Sequence, residues 1–288
     1  MYKNKIITVV VPTYNEEKAI DKVLDKIKKT MDVNDYNYEI IVVDDCSTDN
    51  TAEIAKSKEV KVIQHLENKG VGKARKTGIE NAEGDIIVMT DGDGTYPVQD
   101  IPKLLAFLPK YDMVIGARKI EAGTVPLLRR PVKFILRKLA EYITRKRIPD
   151  LNSGLRAFKK DIALKFFGVL PDGHSWVSTI TIAFLSNGYD VKYVPIDYYK
   201  RKGRSTFHPI KDTSTFFLLI FRTIMYFKPL KVFFPVALVI FIGGVVRTIY
   251  DARILHRIKE SDVIIVLTGM LVMMLGLLAD LIVKTRKT

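Results

Sequence analysis

The stretch Gly84-Asp85-Ile86-Ile87-Val88-Met89-Thr90-Asp91-Gly92-Asp93-Gly94 decides how the rest of this chain reads. A short apolar run rich in branched residues, ending abruptly in acids and glycines, is the pattern of a buried parallel strand that delivers carboxylates at the carboxyl edge of a sheet. Ligands of open α/β sheets bind at that edge. Two aspartates one glycine apart offer hard oxygen ligands of the kind Mg²⁺ or Mn²⁺ takes, with positions left for water and substrate phosphate. Asp-Gly pairs also form plain surface turns. The weight of this quartet therefore comes from the strand-plus-acid units that precede it.

Residues 6–11 form a strand-like run that leads into Pro12-Thr13-Tyr14-Asn15-Glu16-Glu17. A helix over 18–30 then places Ile20, Val23, Leu24 and Ile27 on one face. A second strand over 39–43 ends in Asp44-Asp45-Cys46-Ser47-Thr48-Asp49, where Ser47, Thr48 or Asp49 can cap a helix over 51–56. A third strand over 60–64 and a helix over 72–81 lead to the strand before Asp91. Strands alternating with helices predict a mainly parallel, doubly wound α/β sheet. Its strand ends would carry Tyr14, Glu16, Asp44, Asp45, Asp91 and Asp93.

The 288 residues allow one large domain or two ordinary ones, and the 48% hydrophobic content conceals a polar first two-thirds and an apolar final quarter. Met1-Tyr2-Lys3-Asn4-Lys5 runs directly into the first strand without a secretory pattern, which predicts a cytosolic first domain. Cys46 is the sole cysteine, so an internal disulfide and a cysteine-based zinc cluster are excluded. A net charge of +14 favours anionic partners: nucleic acid, anionic lipid or phosphorylated substrates. Between Arg118 and Arg147 ten basic residues face two acidic ones, more than half of that net charge. Arg118 ends a strand over 112–118. Pro131 suits a first helical position, after which Arg130, Lys133 and Arg137 fall within about 60° of one another, with Leu136, Leu139, Ala140 and Ile143 opposite. Such a basic stripe suits a membrane surface or a phosphate, and its alternative is a solvated face.

Four strings, VVVPTYNEE, VVDDCSTDNT, NKGVGKARKTGI and MTDGDGTYP, stand in the order and spacing of the family 2 glycosyltransferases, which this chain resembles. The resemblance implies the GT-A fold, a Rossmann-like α/β domain. It implies that Pro12, Tyr14, Glu16 and Asp44 line a nucleoside pocket and that Asp91 and Asp93 face the diphosphate and a Mg²⁺ or Mn²⁺ ion. Asp45 and the segment Lys69, Gly70 and Arg75 join the nucleotide-sugar site on the same basis. For Asp45 helix capping stands equally open, and Lys69 to Arg75 reads also as an ordinary basic helix start. Gly70 and Gly72 allow close backbone approach to a phosphate.

Asn152-Ser153-Gly154-Leu155-Arg156-Ala157-Phe158-Lys159-Lys160 resembles an element of the polyprenyl-phosphate sugar transferases, and Tyr199-Lys200-Arg201-Lys202-Gly203-Arg204-Ser205 resembles their late R-x-x-G-x-S loop. The resemblance implies an acceptor-phosphate site of Arg118, Arg130, Lys133, Ser153, Lys200, Arg201 and Ser205, with Asp91, Asp93, Arg118 and Arg201 nearest the chemistry. Lys200 stands where arginine is expected, so either it or Arg201 meets the phosphate. Thr95 replaces the glutamine of the mannose synthases and turns the expectation from GDP-mannose to UDP-glucose or UDP-N-acetylglucosamine. Trp176 has no arginine before it, which disfavours a processive polysaccharide synthase. Trp176 and His174 read as core or pocket wall.

The apolar quarter predicts an interfacial helix over 211–229 and a transmembrane hairpin over 230–288, with spans near 230–250 and 263–283, behind a catalytic domain over 1–210. Such a hairpin returns the C-terminus to the cytoplasmic side with the catalytic domain. Basic residues weakly support that orientation, six on the cytosolic flanks against four near the connecting loop. Gly243, Gly244 and Gly269 are candidates for packing against a second copy, a homo-oligomer through the hairpin.

The expected activity is inverting, metal-dependent transfer of a hexose from a nucleotide sugar to dolichyl or another polyprenyl phosphate at a membrane lipid surface, with no nucleic acid involved. Such an acceptor is ionised at pH 7 and needs no strong base, only alignment and charge neutralisation. The alternatives are a GDP-mannose donor, or a lipid hydroxyl acceptor, for which Asp150 and Asp172 are the candidate bases. A basic membrane-tethered binding protein without chemistry is a third reading, and the paired aspartates argue against it.

Overall fold

The computed structural model describes residues 5–119, 137–199, 225 and 228–285. The expected contacts at Arg130, Lys133, Lys200, Arg201 and Ser205, and most of the expected interfacial helix over 211–229, lie outside those residues. Among the described residues seven strands form one sheet: β1 (Ile7–Thr13), β2 (Tyr38–Asp44), β3 (Lys61–Gln64), β4 (Ile86–Met89), β5 (Met113–Arg118), β6 (Arg156–Lys159) and β7 (Val191–Ile196). Their order is β3-β2-β1-β4-β6-β5-β7. All pairings are parallel except those of β6, which runs antiparallel to both β4 and β5. The mainly parallel expectation holds, and β6 departs from it. Four residues with a basic one at each end carry too little alternation to announce a strand.

Helices α1 (Ile20–Val33), α2 (Thr51–Lys56), α3 (Val71–Glu80), α4 (Ile101–Leu105), α5 (Lys160–Leu164) and α6 (Trp176–Ser186) belong to the same unit. Every residue of β1 is buried, because both of its faces are covered. Ile20, Val23, Leu24, Ile27 and Met31 of α1 join Ile7, Val9 and Val11 in one core cluster. Each such side chain contributes roughly 1.5–3 kcal/mol by leaving water. On the other face α3 lies almost directly on β1, since a Cβ at Gly78 would come within 2.3 Å of Val10 Cγ1. Helix α6 is buried along its whole length, and Phe158 of β6 packs on the rings of its Trp176 and Phe184, each at 6.4 Å. In the helical residues 137–144, Ala140 and Ile143 point inward, as the sequence pattern requires.

Register places the site. Thr13 pairs with Asp44, and Val10 with Met89. The Thr90 N–H reaches Val10 O at 3.2 Å, and the Asp45 N–H reaches Thr13 O at 2.9 Å. Strands β1, β2 and β4 therefore end level, and their acid-bearing loops share one edge.

A second unit, 220–288, contains α7 (Leu230–Ile254) and α8 (Glu260–Thr285). Both are long and apolar enough to cross a membrane, with mean hydropathy 2.3 and 2.4. Only 11% and 17% of those windows are buried, unlike core helices of a water-soluble domain. The helices continue beyond the expected spans toward their connection, where Arg247 pairs with Asp262 at 3.1 Å and Lys259 with Asp251 at 2.9 Å. Two glycines read as faces for a second copy are used inside the hairpin: a Cβ at Gly244 would stand 2.9 Å from Val266 N, and one at Gly269 2.7 Å from Phe241 N. Gly276 meets Phe233 in the same way, whereas Gly243 has open space around it.

Candidate active site

The level strand ends enclose a cavity of about 400 Å³, within the usual range for small-molecule sites. Pro12, Tyr14, Glu16 and Asp45 line one part of it, and Gly70, Arg75, Asp91 and Asp93 another. The first wall is laced across two loops. The Glu16 N–H donates to Thr51 Oγ1 at 2.8 Å, the Asn15 N–H to Ser47 Oγ at 2.9 Å, and the Thr48 N–H to Asn15 Oδ1 at 2.8 Å. Asn50 takes the N-cap position of α2 and makes no side-chain cap bond, so none of the three candidates caps it; Asp49, one residue earlier, accepts the Thr51 N–H at 3.0 Å as a local turn.

Asp44 and Asp45 divide their work differently from the simplest expectation. Asp44 is buried and outside the cavity lining, and its carboxylate accepts from the Ser47 hydroxyl and, at 3.2 Å, from the Ser47 N–H. Asp45 lines the cavity, yet its oxygens accept the N–H groups of Lys69 (2.9 Å) and Gly70 (2.8 Å) and lie 2.7 Å from His65 Nδ1. It thereby pins the loop before α3 to the end of β2. The close approach that Gly70 and Gly72 permit is taken by protein backbone. Asp172 O accepts the Gly72 and Lys73 N–H groups at 2.7 and 3.1 Å.

Asp91 is gripped from two sides. Arg75 Nη2 donates to its Oδ1 at 2.9 Å, and Gly154 backs onto it so closely that a Cβ there would stand 2.6 Å from Oδ2. The Gly154 N–H donates to the Tyr96 hydroxyl at 2.7 Å. Burial raises the pKa of that phenol, which stays protonated. Arg75 is itself buried, with its guanidinium 5.6 Å over the Trp176 ring, and its Nε and Nη1 meet no hydrogen-bond partner among the described residues. Asp93 is buried and accepts from Thr95 through both the N–H (3.0 Å) and the hydroxyl (2.6 Å). Thr95, read from sequence only as a sugar marker, is thus a brace for the second aspartate.

Among the expected acceptor-side groups, Arg118 forms a fork with Asp150: Nε to Oδ2 at 2.7 Å and Nη2 to Oδ1 at 2.9 Å. Its guanidinium also lies 5.2 Å over the Tyr198 ring. Burial works to raise the Asp150 pKa, but the hydrogen bonds and charge of Arg118 outweigh it and hold the carboxyl below its ordinary value. Ser153 is fully buried, and its hydroxyl has no partner among the described residues. Beside it sits a residue the sequence reading passed over. Arg156 is wholly buried and donates to Val177 O (2.9 Å), Thr181 Oγ1 (3.1 Å) and Ser153 O, all neutral. Burial, then the neighbouring Arg75, lowers its pKa to about 10, still a cation at neutral pH.

Among the described residues no cluster of three or more His, Cys, Asp or Glu side chains could hold a metal by itself. Two carboxylates fit a cation that takes its remaining ligands from water and substrate phosphate, the habit of Mg²⁺ in phosphate sites.

The model of the glycosyl transferase family 2 matches residues 8–167. The chain belongs to that family. Residues 228–285 match the model named GtrB C-terminal hairpin. The family 2 chain is 32% identical over 205 residues to a dolichyl-phosphate hexose transferase of Haloferax volcanii, covering 70% of this chain and 87% of that one. It is 34% identical over 192 residues to a UDP-N-acetylglucosamine–dolichyl-phosphate N-acetylglucosaminyltransferase of Methanococcus voltae, covering 56% and 72%. Its fold matches glucosyl-3-phosphoglycerate synthase from Mycobacterium tuberculosis, solved with Mn²⁺, UDP and glucosyl-3-phosphoglycerate, at a TM-score of 0.62, 21% identity and 76% and 80% coverage. The fold is therefore GT-A, and the protein is a glycosyltransferase.

Proposed function

We propose that this enzyme transfers a hexose from a nucleoside-diphosphate sugar to dolichyl or another polyprenyl phosphate, with inversion at the anomeric carbon. The observation that carries the choice of acceptor concerns bases. A lipid hydroxyl needs one, and both candidates are committed: Asp150 to the Arg118 fork, Asp172 to Lys76 at 2.7 Å. A phosphate monoester is already an anion and attacks without deprotonation. The named activities of the Haloferax and Methanococcus relatives support the same acceptor.

In this reading Pro12, Tyr14 and Glu16 hold the nucleoside, while Asp45 fixes the loop of Lys69 and Gly70 beside it. Arg75 holds Asp91 in place, and Thr95 does so for Asp93. Asp93, with Asp91, would hold Mg²⁺ or Mn²⁺, which supplies positive charge for the departing diphosphate when bound. Arg118, which pairs with Asp150, would share the acceptor-phosphate site with Arg130, Lys133, Ser153, Lys200, Arg201 and Ser205. UDP-glucose or UDP-N-acetylglucosamine is the favoured donor, supported by Thr95 and by the Methanococcus relative's name. We read 1–210 as the catalytic domain, 211–229 as an interfacial segment and 230–288 as a membrane anchor, with catalytic domain and C-terminus cytoplasmic.

A panel of UDP-glucose, UDP-N-acetylglucosamine and GDP-mannose with Mn²⁺, with and without a polyprenyl phosphate, tests the reading by product identification. A sugar-phosphoryl lipid formed from a uridine donor is the expected product. Transfer to diacylglycerol instead, or none with any donor, overturns it.

A further inference from the structure

Thirteen of the fourteen residues that line the cavity lie between Pro12 and Asp93, and the other is His174. The segment that carries His174 is anchored on both sides. Before it, Asp172 O accepts the Gly72 and Lys73 N–H groups, and the Asp172 carboxylate pairs with Lys76 at 2.7 Å. The backbones touch there. A Cβ at Gly72 would stand 2.4 Å from Pro171 O, and one at Gly70, whose φ is +90°, 2.5 Å from Asp172 O. After it, Trp176 is fully buried beneath the Arg75 guanidinium. Both anchors rest on α3, on the side of the cavity that holds Arg75. Gly70 on the cavity wall and Gly72 two residues on thus serve to bring a residue from the far half of the domain into the cavity.

Resting on the function proposed above, we propose that His174 is a donor-contacting residue, its imidazole meeting the diphosphate and sugar of the bound nucleotide sugar. The nucleoside wall is built from the first two strand ends, whereas His174 enters on α3 beside Arg75, where the reading places the diphosphate. An imidazole there supplies a donor to a phosphate oxygen or a sugar hydroxyl. The clamp at Asp172 makes it a placed group, with its ordering cost met on folding.

Binding of UMP, UDP and UDP-N-acetylglucosamine to the full chain in detergent with Mn²⁺, guanosine counterparts alongside, tests this by calorimetry. His174→Ala is expected to weaken UDP and UDP-N-acetylglucosamine about tenfold, one charge-assisted hydrogen bond, and to leave UMP within about twofold. Donor KM should rise by a similar factor at an unchanged melting temperature, with His174→Gln recovering part of it. Gly72→Ala, which displaces the carrier segment, should give the same binding pattern at a lower melting temperature. Unchanged UDP binding in His174→Ala, or an equal loss for UMP and UDP, overturns the assignment. A wild-type chain that binds none of these nucleotides overturns instead the reading on which it rests.

Discussion

Arg75 Nη2 holds Asp91 Oδ1 at 2.9 Å across the floor of the cavity, an arginine 4% exposed against a carboxylate side chain 30% exposed. Half of this pair comes from a helix and half from a strand end. The pair therefore fixes the first aspartate relative to the α3 wall before any ligand arrives. Arg75→Met removes that restraint and leaves the carboxylate to face water or a cation without a fixed direction. It should lower kcat/KM by about a hundredfold, the scale of losing one charge-assisted hydrogen bond at a reacting centre. The stability loss should be about 1–2 kcal/mol, below that of a fully buried pair because Asp91 keeps solvent contact. Steady-state kinetics and urea midpoints of the same variant separate the two effects.

Gly154→Ala probes the other side of Asp91. A methyl placed 2.6 Å from Oδ2 and 3.0 Å from the Tyr96 ring forces either the loop or the carboxylate to move. Turnover should fall at least tenfold, because a displacement of about 1 Å at a reacting site is felt that strongly. The melting temperature should drop by only a few degrees. Activity at the wild-type level would show that Asp91 does not need its observed position.

Asp93→Asn keeps the Thr95 brace sterically while removing a charge. With metal held through Asp93, the variant should lose nearly all transfer at every Mn²⁺ concentration, and chelation of wild-type enzyme should abolish transfer reversibly. Thermal unfolding in the absence of nucleotide should stay within a few degrees of wild type. Full activity in a chelator would sink the metal assignment.

Asp150 gives a pH prediction with a definite sign. Its folded pKa is depressed, so the stability it contributes is present above the ordinary carboxyl value near 4 and is lost as pH falls through the lower folded value. Asp150→Asn strips Arg118 of its counter-charge at a site where both side chains are at most 10% exposed, and about 3 kcal/mol of stability should go at pH 7. The gap between the two proteins should narrow below pH 4. Denaturant midpoints at pH 7 and pH 3 read it directly.

The parts of the fold written in the sequence are those with local pattern. Strands β1, β2 and β4 are continuous branched runs because both faces of the sheet are covered, and α1 shows its buried face at every third or fourth residue. Strand β6 is silent, since its pairing with β4 and β5 is decided by partners far along the chain. The same limit governs the site. Gly70 and Gly72 announce that something must come close, but only the fold reveals backbone from 171–173 in place of a phosphate. Arg156, in a string ending in two lysines, looks like a surface base. It is buried because carbonyls of α6 and of the 153 loop converge on it.

The hairpin offers a matched pair of substitutions. Gly269 sits where a Cβ would lie 2.7 to 2.9 Å from the backbone and Cβ of Phe241, so any side chain must push α7 and α8 apart. Gly243 is one residue from another such contact at Gly244 but points into open space. In a bilayer or micelle the two helices gain nothing from burying apolar surface against each other rather than against lipid, so close packing at small residues is what holds them together. Gly269→Leu should therefore cost about 1–3 kcal/mol of hairpin stability, the usual penalty of overpacking, and Gly243→Leu close to nothing. Protease resistance of the hairpin in detergent reads the difference, while nucleotide binding by residues of the first unit reports that the catalytic half is undisturbed. Equal loss from both substitutions would mean that Gly243 is also in a packed interface, as a second copy of the chain would provide.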